Sequence, residues 1–142
     1  MNRNSLLTNI VCCMQSRRAP AWLAWLATDV IAVLVFCAVG RRSHAEGLSI
    51  SGVASTAWPF LTGTVTGWLT SRGWRRPTAV VPTGVAVWLG TVVVGMLLRK
   101  ATSAGVAASF VVVASSVTAA LLLGWRAGIG LRGLAQRRRS DV

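Results

Sequence analysis

Residues 24–44 read AWLATDVIAVLVFCAVGRRSH, and the fold follows from them. The stretch is an apolar helix of bilayer-crossing length, since ~20 residues rising ~1.5 Å each cover the ~30 Å hydrocarbon layer. One carboxylate, Asp29, stands inside it, and it closes on a basic knot, Gly40-Arg41-Arg42-Ser43-His44. Three more apolar stretches follow without an ionisable residue inside them, which leaves Asp29 as the expected single acid at membrane depth. The chain therefore reads as a small integral membrane protein.

Bulk composition agrees. Of 142 residues, 54% are hydrophobic and 13% charged, against roughly a quarter charged in soluble domains. The net charge of +12 would suit nucleic acid if it covered one face. Here the basic residues fall between apolar runs, so the charge argues for membrane topology and against nucleic acid. The cysteines carry little: Cys12 and Cys13 are adjacent, Cys37 lies in an apolar run, and neither zinc spacing nor CxxC occurs.

Working outward, residues 1–19 form a polar tail expected to be cytoplasmic and poorly ordered. Its apolar patch at 10–14 is too short for a signal-peptide core. Pro20 opens the first span, where its missing N–H costs nothing. The spans are expected at about 21–39, 51–69, 78–98 and 102–123, within a membrane domain covering 20–126, and residues 127–142 form a basic, glycine-broken cytoplasmic tail. The second span is the least apolar and should be buried among the others. Pro77 should open the third. Short connections make neighbours antiparallel, giving an all-α, up-down bundle of four transmembrane helices. Arginine and lysine fix the orientation: eleven lie in the N-tail, second loop and C-tail, and four (Arg41, Arg42, Arg99, Lys100) lie opposite. Both termini should therefore be cytoplasmic in a multi-pass protein of the plasma or inner membrane. Anionic headgroups on the arginine-rich side are the expected lipid partners. Gly63-x-x-x-Gly67 and the series Ser116, Ala120, Gly124 have the spacing that lets helices approach closely, within one chain or in a homo-oligomer.

An acid inside a span costs roughly 2.5–3.5 kcal/mol to insert, so it needs partners. Counting inward from the span ends places Thr56, Trp58, Pro59, Trp88, Ser115 and Ser116 near the level of Asp29, and Pro59 frees the Ser55 carbonyl. These residues could form a central polar site for a proton, ion or small ligand, or simply a hydrogen bond fixing helix register. Arg126 is expected to lie too far along the fourth span to reach Asp29, about 18 Å from its centre. Arg41, Arg42, His44 and Arg99 form a candidate outer basic cluster for an anion or lipid headgroup, or anchors that snorkel at span ends. A lone histidine makes a poor metal site. Metal and cofactor are not expected, and no catalytic constellation argues for an enzyme.

Asp29, Phe36 and Gly40-Arg41-x-Ser43-His44 resemble the opening of a prokaryotic family catalogued as a domain of unknown function, whose members look like small four-span membrane proteins. The resemblance continues through Trp58-Pro59-Phe60, Arg76-Pro77, Trp88, Gly95-x-x-x-Arg99, Ser109-Phe110 and Gly124-Trp125-Arg126. It implies a membrane location and no assigned activity. Two function classes remain open. A structural or accessory membrane component acting through helix and lipid contacts should tolerate Asp29→Asn and be sensitive at Gly63 and Gly67. A small oligomeric transporter or channel subunit with its site at the Asp29 level should behave in reverse.

Overall fold

The computed structural model describes residues 20–43 and 49–140. Among them the chain is all-α, with four helices: α1 Ala21–Ser43, α2 Ile50–Thr70, α3 Val85–Ala101 and α4 Ala108–Ser140. Three segments are long and apolar enough to cross a membrane: Ala21–Arg42, Val80–Ala101 and Ala108–Arg139. With 21 residues α2 is as long, but its serines, threonines and glycines leave it outside that set.

The helix ends show where local chemistry overrides hydropathy. Ser49 caps α2, its hydroxyl accepting from the Gly52 N–H at 3.1 Å. The third helix starts later than hydropathy suggests. After the 3-10 turn Gly73–Arg75 the chain runs through an irregular turn, Val80–Gly84, in which Val81 is extended (φ −120°, ψ 129°). A residue before proline avoids the helical region, so Pro82 rather than Pro77 stands at the entrance of α3. The fourth helix differs most, beginning at Ala108 rather than near 102. Thr102 closes α3 by donating its N–H to the Leu98 carbonyl, and Ser103 and Gly105 take left-handed conformations before α4 starts. It then runs unbroken through Gly128, Gly130 and Gly133 to Ser140. Each glycine costs about 1 kcal/mol relative to alanine inside a helix, and the intervening Leu131, Arg132, Leu134, Ala135 and Gln136 favour helix.

Successive helices run in opposite directions. Phe36 meets Phe60 edge-on at 5.5 Å while Trp68 reaches Asp29, which aligns α1 and α2 antiparallel. A Cβ on Gly63 would collide with the Gly90 carbonyl, and one on Gly67 would lie 2.5 Å from the Val87 Cα. Thr64 and Thr91 hydroxyls hydrogen-bond across this α2/α3 seam at 2.9 Å. The seam is thus backbone against backbone, the contact that small residues permit in lipid. Ser116, Ala120 and Gly124 instead lie exposed on α4, and a Cβ on Gly124 would meet nothing.

All four helices contribute to the core, through Val33, Phe36 and Cys37, Ala57, Phe60 and Trp68, Val87, and Ala114 and Leu122. The second helix is buried on one face only, because its other face, with Trp58, Val65 and Leu69, is exposed. Its outward hydroxyls bond to their own helix: Ser55 donates to the Gly52 carbonyl and Thr62 to the Trp58 carbonyl. Such back-bonding satisfies these two hydroxyls on an apolar surface.

Candidate functional site

Asp29 is the ninth residue of α1 and is fully buried, as is Arg126 of α4. Arg126 grips the carboxylate with both terminal nitrogens: Nη1 donates to Oδ1 at 2.8 Å and Nη2 to Oδ2 at 2.6 Å. This parallel fork is the strongest geometry an arginine and a carboxylate can adopt. Two indoles complete the shell, with Trp68 Nε1 donating to Oδ2 at 2.8 Å and Trp125 Nε1 to Oδ1 at 3.1 Å. Each oxygen therefore accepts two hydrogen bonds. Two further guanidinium N–H groups are held by backbone: Nε donates to the Pro77 carbonyl at 3.1 Å, and Nη1 donates to the Leu122 carbonyl at 2.7 Å as well. Trp25 stacks on Trp125 at 5.2 Å, and the guanidinium lies 4.3 Å from the Trp125 ring centroid. Gly84 leaves room for the arginine stem, since a Cβ there would lie 2.9 Å from the Arg126 Cδ.

This corrects the expectation that Asp29 lacks a charged partner within reach. Arg126 stands well inside α4, because that helix starts six residues later than expected and continues to Ser140. The level of Asp29 was also misplaced. Counting from span ends puts it beside Trp58 and Pro59, whereas counting back from the end of α1 puts it opposite the last two turns of α2. Trp68 lies there. Tryptophan and arginine at the end of two apolar runs, Trp68 and Trp125-Arg126, are the sequence signal that marks candidates for this role.

The other residues of the central set do not gather around Asp29. Trp58 lies on the outer face of α2, 44% exposed, and Pro59 is buried within α2. Trp88 Nε1 donates to the Ser115 carbonyl at 3.0 Å, so those two meet through backbone. Ser116 is exposed and bonds to the Val112 carbonyl.

Thr56 belongs to a second place, at the opposite end of the helices. There it accepts from Arg41 Nη1 at 3.2 Å beside a cavity of about 490 Å³, open on one side, whose lining includes Phe36, Cys37, Arg41, Thr56, Arg99 and Phe110. Of the candidate outer cluster, Arg41 and Arg99 share this cavity, Arg42 is exposed, and His44 lies outside the described residues. Arg99 lies over the Phe110 ring at 4.8 Å and donates Nη2 to the Ala104 carbonyl at 3.2 Å.

Compared with known proteins, the chain matches the profile of one family, described as "Protein of unknown function (DUF3054)", over residues 26–129. That region takes in Asp29, Trp68, Trp125 and Arg126 together with Arg41 and Arg99, and stops before the arginine-rich end of α4. No curated protein and no solved structure matches it.

Proposed function

Because the chain belongs to that family of unknown function, and its matched region contains both polar places, we propose that it serves as an accessory component of the cell membrane, working through helix and lipid contacts. In this reading all four helices span the bilayer as an up-down bundle with both termini cytoplasmic. The charge bias supports that orientation, with eleven basic residues on one side and four on the other. The helical end of α4 carries Arg132, Arg137, Arg138 and Arg139 toward anionic headgroups.

The observation that carries the reading is the closed shell around Asp29. A transport carboxylate needs an acceptor position open to a proton or ion. Here Arg126, Trp68 and Trp125 occupy the positions, and both charges are fully enclosed. A buried pair of this kind ties α1 to α4. It also changes what Asp29→Asn should do, because the amide leaves the Arg126 charge buried without its counter-ion, so the fold itself becomes intolerant.

The test is proton flux in proteoliposomes alongside thermal unfolding in detergent. The expected result is wild-type flux no higher than in empty vesicles, with Asp29→Asn strongly destabilised. Flux above that of empty vesicles, abolished by Asp29→Asn in a protein that melts like wild type, would establish the transporter reading instead.

A further inference from the structure

We infer that the cavity between Arg41 and Arg99 binds the phosphate of a phospholipid, with an acyl chain leaving along the apolar flank of α4. This deepens the lipid-contact reading and rests on the chain crossing a bilayer, but not on the role of Asp29.

Charge favours an anion in this cavity. Two guanidiniums border one space of about 490 Å³, and no carboxylate among the described residues pairs with that of Arg99, because Asp29 is held by Arg126 at the other end. Basic residues at helix C-termini offset the helix dipole, and that accounts for Arg42 and Lys100, which are exposed. Arg99 is disposed differently. Its guanidinium lies over Phe110, and its Nε is buried with no hydrogen-bond partner among the described residues. The carbonyl and the aromatic face that it touches are both uncharged. A guanidinium so placed presents a fork suited to phosphate oxygens.

Polarity also falls along the helices from this end inward. Arg41 and Arg99 lie in the last turns of α1 and α3. Phe36 lies more than a turn further into α1, and Phe110 stands near the start of α4. Val113, one turn deeper in α4, lines the cavity and is 56% exposed. The ligand that fits has a compact anion at the headgroup level and an apolar body below it, passing Val113 into the bilayer. Free phosphate satisfies the head alone.

The experiment is native mass spectrometry of the full chain in detergent. The protein is titrated with phosphatidylglycerol and with diacylglycerol of the same acyl chains, with inorganic phosphate as competitor. The expected result is one tight phosphatidylglycerol per chain, bound about tenfold better than diacylglycerol and not displaced by inorganic phosphate. Arg99→Gln should remove the preference, and Arg42→Gln should keep it. Val113→Trp, a substitution at an exposed position that keeps both charges, should weaken phosphatidylglycerol by blocking the chain's exit, and it serves as the test if Arg99→Gln fails to fold. Equal binding of the two lipids, an unchanged preference in Arg99→Gln, or unchanged binding in Val113→Trp would overturn the assignment. Displacement by inorganic phosphate would overturn the lipid as its source. None of these results depends on proton flux through Asp29, so the two readings fail separately.

Discussion

Asp29 and Arg126 show how little a buried charge can be separated from its partner. Removing one side of such a pair costs about 3–5 kcal/mol, because the other stays desolvated. Asp29→Asn and Arg126→Gln should each lower the unfolding free energy by about that amount. The double variant should cost clearly less than the sum, and a double-mutant cycle in detergent would measure the coupling. Trp68→Phe keeps the ring packing against Trp22 but deletes a donor to the carboxylate. It should cost about 1–3 kcal/mol, visible as a lower melting temperature with no change in helix content by circular dichroism. The need for a partner at Asp29 was legible from residue type alone, since an acid among valines and leucines demands one. The partner's identity was not, because it depends on helix register. An error of about three turns in that register exchanges Trp68 for Trp58.

Among the elements, the two small-residue patterns look alike in sequence and differ in the fold. Gly63 and Gly67 lie in the α2/α3 seam, where a side chain would meet backbone that cannot yield. Gly124 faces open space. Gly63→Ala should therefore sharply reduce the folded fraction in size-exclusion chromatography. Gly124→Ala should leave folding of the single chain intact, and should even gain a few tenths to about 1 kcal/mol from helix propensity. The sequence marked both patterns as contact sites because spacing records the shape of a helix face and not what lies opposite. Likewise the extent of α2 could be read closely from its apolar run. The start of α3 and both ends of α4 could not, since they depend on how Pro82, Ser103 and the glycines of α4 settle against their neighbours.

At the scale of the whole molecule, α4 is the longest element. Its 33 residues extend about 50 Å at 1.5 Å per residue, well beyond the ~30 Å of hydrocarbon. The surplus is the arginine-bearing end. In a background lacking Cys12, Cys13 and Cys37, Arg72→Cys and Arg139→Cys should react with an impermeant thiol reagent only from the cytoplasmic side of oriented vesicles. Ala104→Cys should react only from the other side, and labelling of all three from one side would refute the proposed topology. The clasp between α1 and α4 has a consequence of another kind, in the order of synthesis. Asp29 leaves the ribosome 97 residues before Arg126, and at about 5–20 residues per second the wait is roughly 5–20 s. Throughout that interval the first helix carries an unmatched acid that opposes its entry into lipid. In the proposed topology its insertion becomes secure only when the last helix arrives, so a chain interrupted before Arg126 should be left with a first segment that the bilayer holds weakly.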